Sequence, residues 1–174
     1  MAGTVPTTTL AALVVALRTQ IGAKLGFPPE RVLPHAGDAD DPDPFPAQAE
    51  QFVLIHAGPG RADPGLFAGA ARNAPLVRQE VFCTLWTRLV SDDPSTDQAY
   101  LLDANLGHLK FANLLFDALY AFQPLDASGV WMVEEPLYPE AWQPPRKMPE
   151  RKGWGRSTLR VVVTYFPAVD PGYQ

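Results

Sequence analysis

The sequence predicts an α+β fold: a small, mostly antiparallel β-sheet of about four strands, flanked by an N-terminal helix and one long central helix. Apolar residues recur at helical spacing in two segments and alternate with polar residues in others. The 19 prolines among 174 residues fall largely outside these segments, with six in 28–46 and five in 136–149. Because proline disrupts helix interiors and central strands, we expect Pro-rich extended arms at about 27–50 and 136–156. The length suits one hydrophobic core, so we expect a single domain over 1–174.

The first predicted helix spans residues 7–25. Its apolar residues recur every three or four positions and form one stripe, which consists of Leu10, Leu13, Val14, Leu17, Ile21 and Leu25. Thr7, Thr8 and Thr9 supply N-cap candidates. Gly26 is a suitable residue to end the helix, and Pro28 with Pro29 prevents its continuation.

Strands are predicted at 51–57, 77–90, 130–134 and 155–166. Residues 31–33 are either a further short strand or part of an extended loop. In the second of these, Val81, Cys83 and Leu85 lie on one face, and Phe82, Thr84 and Trp86 lie on the other. Both faces are partly apolar, which predicts a strand that is central or covered on both sides. Gly58-Pro59-Gly60 is expected to end the first strand, and 61–76 is expected to be a loop.

The second predicted helix spans about 95–122 and stops before Pro124. It is apolar over most of its circumference, which indicates burial on more than one side. Asp103, Lys110 and Asp117 are spaced seven residues apart and form a polar stripe along it. His108, which lies close to Lys110, is expected at the surface or at a subunit contact.

The residues suggest no catalytic, metal or cofactor site. The three histidines, His35, His56 and His108, have no metal-ligand spacing. The acidic run at 38–43 lacks the glycine and glutamate of a calcium loop. The single cysteine, Cys83, lies within an apolar run and is expected to be buried. We therefore expect no enzyme, no cofactor and no metal.

The composition also argues against some classes of binding partner and against membrane insertion. The net charge of −5 and the pI near 5.1 argue against a general nucleic-acid binder. The longest apolar stretch, 10–17, is too short to span a bilayer, and no basic residue precedes Arg18, so neither membrane insertion nor a secretory signal is predicted.

The charges are segregated between the two Pro-rich arms. Residues 30–50 hold six acids and one base, and residues 146–160 hold six bases and one acid. Three of the four tryptophans also lie between 131 and 154. One interpretation is two solvated loops, and the other is head-to-tail pairing between subunits. The candidate interface residues under the second are Asp38, Asp40, Asp41, Asp43, Trp142, Arg146, Lys147, Arg151, Lys152, Trp154 and Arg156. Stacking of single-stranded nucleic acid on the aromatic residues is a rival use of the basic arm.

The order of these segments resembles a known family. The strand that ends in Leu85-Trp86-Thr87-Arg88, followed by a polar turn and a helix, is similar to the aliphatic–Trp–Ser/Thr–Arg pattern of the tail-terminator (tail-completion) proteins of tailed bacteriophages. The resemblance in layout covers roughly residues 8–166. The acidic segment 34–50 and the Pro/Trp/basic segment 136–156 depart from the family pattern.

The resemblance implies a structural virion protein of the tail or neck, assembled in the host cytoplasm. Such proteins form a ring, usually a hexamer, that caps the tail tube, terminates its polymerisation and joins it to the head or neck. The implied partners are further copies of the chain, the tail tube protein and the neck or connector proteins, with DNA passing through the lumen. Asp103, Lys110 and Asp117 are candidate lumen-facing residues under this reading, and a plain solvent face is the alternative. A head-completion or head–tail connector protein remains the alternative function, followed by a small soluble enzyme.

Overall fold

A computed structural model of the chain shows a mixed β-sheet with α-helices packed against one of its faces. The structure describes residues 7–36, 49–67, 75–88, 102, 107–147 and 153–168. In chain order, the elements are β1 (Thr7–Thr8), α1 (Leu10–Leu25), a short 3₁₀ helix (Pro29–Arg31), β2 (Val32–Pro34), β3 (Gln51–Phe67), β4 (Pro75–Arg88), α2 (His108–Leu119), β5 (Pro139–Lys147) and β6 (Trp154–Pro167). The α+β class predicted from the sequence is confirmed.

The sheet has six described strands, where the sequence predicted about four. Its order is β1-β6-β4-β3-β2, and β5 also pairs with β6. The β3–β4, β4–β6 and β5–β6 pairs are antiparallel, whereas β1–β6 and β2–β3 are parallel. The predicted central position of β4 is confirmed, because β4 lies between β3 and β6.

The first helix ends at Leu25 as predicted but begins at Leu10, three residues later than expected, because Thr7 and Thr8 pair with β6 as β1. The Thr9 hydroxyl accepts a hydrogen bond from the Ala12 amide (3.1 Å) and caps the N-terminus of α1. Gly26 ends the helix with φ of 68°, a left-handed conformation that glycine adopts without steric cost. The buried stripe of α1 consists of Leu13, Leu17, Ile21 and Leu25.

The sheet has a buried apolar cluster on each face. The larger cluster lies under α1 and α2 and includes Val81, Cys83 and Leu85 of β4. The smaller one consists of Phe52, Leu54, Trp86 and Trp154, with Leu33 and Ala49 packed beside it. Because successive strand residues point to opposite faces, the alternation of β4 fills both clusters, as its sequence predicts.

The first long strand does not end at Gly58-Pro59-Gly60. β3 continues to Phe67, and its register with β4 shifts between Ala57 and Gly60. The Gln79 side chain donates a hydrogen bond to the Gly58 carbonyl (2.6 Å) and fills the irregularity. The glycines and proline therefore form a β-bulge, not a strand end. The predicted loop is wrong at 61–67 and 75–76, which are strand, and its residues 68–74 lie outside the described residues.

The second helix is shorter than predicted. Gly107 has extended backbone (φ −64°, ψ 140°), so α2 begins at His108, and the prediction of one continuous helix over 95–122 is wrong. The helix ends at Leu119, and Ala121 follows in a left-handed conformation (φ 54°). The predicted start near residue 95 lies outside the described residues.

Two further predictions near the C-terminus need correction. Residues 130–134 form no strand, since only an isolated bridge joins Leu125 to Trp131. Part of the predicted Pro-rich arm is instead β5, which pairs with β6 through Trp142 and neighbouring residues. Its prolines are tolerated because β5 hydrogen-bonds to only one described strand.

Candidate assembly surfaces

The residues expected at a subunit interface fall into three groups in the structure. The four acidic residues Asp38, Asp40, Asp41 and Asp43, together with Arg151 and Lys152, lie outside the described residues. Trp142, Arg146 and Lys147 lie on β5. Trp154 and Arg156 lie on β6.

β5 presents part of the expected interface to the surface. Trp142 is 41% exposed, although it pairs in register with the buried Leu159. Arg146 is exposed as well, and its register partner is Arg156. Both side chains therefore lie at the surface of β5.

Trp154 and Arg156 are instead enclosed within the subunit. Trp154 is 9% exposed, and its ring packs edge-on against Phe52 with centroids 5.6 Å apart. Arg156 is 2% exposed and lies opposite Trp86 in the β4–β6 register. Their burial gives both residues a role inside the fold, so the candidates with described, exposed side chains are Trp142 and Arg146.

The polar stripe on the second helix is described in part. Lys110 and Asp117 are exposed on α2, and the Lys110 ammonium lies 5.8 Å from the ring centroid of Phe111. Asp103 lies outside the described residues. The two described members of the stripe are therefore at the surface. This exposure is consistent with a lumen-facing position and equally with a plain solvent face.

An exposed hairpin, which the sequence did not predict, lies between α2 and β5. We call residues 125–131 the knob. The Asp126 carboxylate accepts hydrogen bonds from the amides of Ser128 (2.8 Å) and Val130 (2.9 Å). The Asp126 amide donates to the Val130 carbonyl (2.8 Å), and Gly129 takes φ of 75° at the turn. These bonds fix the backbone of a turn whose apolar side chains point outward.

The knob and its surroundings carry most of the exposed large apolar side chains of the described residues. Eight such side chains are exposed, and six of them lie between residues 120 and 142, namely Tyr120, Leu125, Val130, Trp131, Tyr138 and Trp142. Trp131 is the most exposed of these at 58%. An exposed apolar concentration of this kind is typical of a protein–protein contact. The concentration of tryptophans in this segment is the sequence signal for an exposed apolar surface. Composition alone does not reveal the turn that exposes Trp131.

An ionic group joins three strands on the sheet surface. Arg160 of β6 donates to Glu80 of β4 (3.2 Å) and to Glu140 of β5 (3.3 Å). All three side chains are at least 32% exposed, so the pairs contribute little to stability. A cleft of about 410 Å³ lies beside them and is lined by charged and apolar side chains, among them Arg61, Arg78 and Tyr138.

Two residues with reactive side chains, Cys83 and His108, are buried. Burial raises the pKa of the Cys83 thiol to about 12, so its nucleophilic thiolate is scarce at neutral pH. His108 is fully buried, which corrects the expected surface position, and burial lowers its pKa to about 4. Among the described residues, no group of three or more His, Cys, Asp or Glu side chains is placed to hold a metal ion. Within the same residues, no helix is long and apolar enough to cross a bilayer.

Comparison with known proteins gives a likeness of fold. No protein-family model matches the sequence, and no curated protein matches it. Among solved structures, the chain is similar to the sheath/tube terminator of an extracellular contractile injection system, PVC, in its extended state, with 14% identity and a TM-score of 0.53. The match covers 95% of this chain and 58% of that one, so the chain spans a little over half the length of that terminator.

A second similar structure comes from the virion of a native gene transfer agent particle, with 18% identity and a TM-score of 0.43 over 88% of this chain and 94% of that one. This score is too low to support an argument from shape. The first match confirms, at the level of the fold, the resemblance to terminator proteins that the sequence indicates.

Proposed function

We propose that the chain is a structural subunit that forms a ring on the end of a tail tube in a phage-like particle. The ring would stop tube polymerisation and join the tube to the head or neck. The observation that carries the proposal is the match in fold, over 95% of the chain, to a protein whose name describes a terminator of sheath and tube. We extend the proposal to residues 1–174 as a single terminator-like domain.

The internal construction of the subunit supports a structural role. The sheet has a buried apolar cluster on each face, and Arg160 of β6 pairs with Glu80 of β4 and Glu140 of β5. His108 and Cys83, the buried groups with reactive chemistry, lie where a substrate has no access. A subunit built in this way is rigid where it packs internally, and its exposed apolar groups are concentrated in the 120–142 segment.

The proposed partners follow from this role. They are further copies of the chain in a hexameric ring, the tail tube protein, and a neck or connector protein, with DNA only in transit. Lys110 and Asp117, together with Asp103, are proposed for the lumen. The particle is proposed to assemble in the host cytoplasm.

The function is tested by adding the purified chain to polymerising tail tube protein. A terminator arrests tube growth at a length that shortens as more of the chain is added, and the arrested ends carry a ring. Binding of the chain to a portal or connector ring, with no effect on tube growth, would favour the head–tail connector instead.

A further inference from the structure

The β-bulge in β3 determines on which face of the sheet Arg61 lies. Before the bulge the register pairs Ala57 with Val81, and after it Arg61 pairs with Arg78. Because β3 carries one more residue than β4 across the bulge, the register moves by one position. Without this shift Arg61 would lie opposite Val77, which packs against the core under the helices. A slip of one residue exchanges the two faces, so the bulge moves Arg61 to the opposite face, beside Arg78.

Arg61 and Arg78, which we call the arginine pair, face each other at the surface. Residues directly opposite in an antiparallel pair have Cβ atoms about 5 Å apart, and like charges there repel each other. Both side chains are exposed, and neither guanidinium group has an ion pair or hydrogen bond with a described residue. The repulsion is therefore not offset within the described part of the subunit, and an anion bound between the two groups would offset it.

The arginine pair lines the cleft of about 410 Å³, and the other charged groups of that cleft have partners. Glu80 and Glu140 both bind Arg160, at 3.2 and 3.3 Å. Glu135 accepts a hydrogen bond from the Thr164 hydroxyl (3.2 Å). Since Glu135 carries one negative charge and the arginine pair carries two positive charges, the arginine pair keeps an unbalanced charge even with that carboxylate nearby.

Tyr138 and Val162 give the same cleft apolar walls. The Tyr138 ring is 48% exposed and meets the Tyr120 ring edge-on, with centroids 5.4 Å apart. Leu137, which precedes Tyr138, is 1% exposed, and its amide donates to the Phe122 carbonyl (2.8 Å). The Tyr138 ring is therefore held on an ordered support, which lowers the entropy cost of binding.

These features fit a carboxylate of a protein better than a nucleic acid. A guanidinium group forms paired hydrogen bonds with a carboxylate, so the arginine pair can hold one carboxylate from two sides. Together with Arg160, the cleft has three basic residues and three acidic ones, and its formal charge is zero. A nucleic-acid backbone is bound by cations that neutralise successive phosphates, and the three carboxylates would repel those phosphates. The apolar walls suit the neighbouring side chains of a polypeptide.

A second copy of the chain supplies this chemistry. The chain has 19 acidic residues and 14 basic ones, so its surface carries an excess of carboxylates. Glu30, on the 3₁₀ helix, and Glu134 are exposed examples that do not line the cleft. A copy that approaches the cleft therefore presents a surface of complementary charge to the arginine pair.

We propose that the arginine pair of one subunit binds a carboxylate of a second copy of this chain. The contact is heterologous, because the cleft of one copy meets a different surface of the other, and such contacts propagate into a ring when the rotation closes. The proposal rests on the proposed ring and assigns the basic side of its subunit contact to the cleft beside β3 and β4.

Removal of the two cations tests the contact. The cleft variant, Arg61→Gln with Arg78→Gln, should self-associate about tenfold more weakly, because the carboxylate loses both guanidinium partners. The matched control, Lys24→Gln with Arg31→Gln, makes the same change in net charge away from the cleft and should leave association unchanged. Sedimentation velocity in solution and ring formation on isolated tail tubes measure association. The unfolding free energy of the cleft variant in urea should not fall, since the two like charges repel each other.

Mixing shows which side of the contact is lost. The cleft variant lacks the arginine pair but keeps its carboxylates, so it can still bind the cleft of an unchanged copy. Fluorescently labelled cleft variant should therefore cosediment with an excess of the unchanged chain, although it associates poorly alone. This recovery also shows that the cleft variant is folded.

The outcomes separate this contact from the ring itself. If the unchanged chain forms rings and the cleft variant forms them equally well, the contact is wrong and the ring remains. The same conclusion follows if the cleft variant has native stability but does not bind the unchanged chain. Weaker binding of duplex DNA by the cleft variant, with ring formation unchanged, would assign the arginine pair to nucleic acid instead. If the unchanged chain forms no ring in solution or on tubes, the proposed function itself fails.

Discussion

The Nε2 atom of His108, on the first turn of α2, lies 2.8 Å from the Oγ atom of Ser157 on β6. On the other side of the ring, Nδ1 lies 3.1 Å from the Thr87 hydroxyl of β4. A neutral imidazole donates through one nitrogen and accepts through the other, and hydroxyl groups can complement either role. This fully buried histidine therefore ties the start of α2 to two neighbouring strands.

We predict that His108 makes the fold sensitive to acid. Its pKa is lowered by burial from 6.5 to about 4, so the unfolded chain binds a proton before the folded chain does. The free energy of unfolding should fall as the pH decreases from above 6.5 towards 4, by roughly 3 kcal/mol in all. Urea denaturation at pH 7 and pH 4.5 measures the difference.

His108→Gln should reduce this pH dependence, because the variant has no imidazole to protonate. His35→Gln, which changes a partly exposed histidine after β2, is the control and should leave the pH dependence nearly intact. Equal acid sensitivity in the His108 variant and the unchanged chain would show that other groups are responsible.

Cys83 should be unreactive in the folded chain. Burial raises the pKa of its thiol from 9.0 to about 12, and its side chain is fully enclosed. Iodoacetamide at pH 8 should therefore label it only through unfolding, and labelling should become fast in guanidinium. A chain carrying Ser128→Cys supplies an exposed thiol on the knob as an internal reference. Rapid labelling of Cys83 in the native chain would contradict its position in the core.

The two tryptophans Trp86 and Trp142 should differ sharply in their effect on stability. Trp86 is fully buried and stacks on Phe52 with centroids 6.0 Å apart, so Trp86→Ala should cost about 3–5 kcal/mol of unfolding free energy. Trp142→Ala should cost less than about 1 kcal/mol, since Trp142 is partly exposed on β5. Chemical denaturation of both variants measures the two losses of unfolding free energy. Losses of similar size would contradict the difference in burial between Trp86 and Trp142.

Gly58 should be intolerant of a side chain. A Cβ atom at this position would overlap the ring of Phe82, which stacks on His56 with centroids 5.0 Å apart. Gly58→Ala should therefore cost about 1–3 kcal/mol, by displacement of that ring. Pro59→Ala, at the exposed neighbour, is the matched control and should change stability by less than about 1 kcal/mol. Thermal unfolding of the two variants distinguishes them, and an unaffected Gly58→Ala chain would contradict the bulge geometry.

Regular amphipathic patterns allowed much of the fold to be predicted. The stripe of α1 and its caps at Thr9 and Gly26 are local signals, and the alternation in β4 and β6 is local as well. The bulge in β3 was missed because Gly58-Pro59-Gly60 has turn composition, and only the Gln79 side chain on the neighbouring strand shows why the strand continues. β5 was missed because its prolines argue against a strand unless it lies beside a single partner.

The candidate surfaces were less predictable, because burial at these positions depends on contacts between residues that are distant in sequence. Burial of His108 depends on Thr87 and Ser157, which are 21 and 49 residues away in sequence. Burial of Trp154 depends on Phe52, on a strand that is distant in sequence. By contrast, the exposure of Trp131 follows from a short turn, but that turn depends on the Asp126 carboxylate, which composition alone does not reveal.

Electron microscopy of tail tubes grown in the presence of the chain tests the central claim most directly. The account predicts tubes that stop growing and carry a closed ring of this chain on one end. Tubes that elongate equally well with bare ends at every concentration of the folded chain would contradict it.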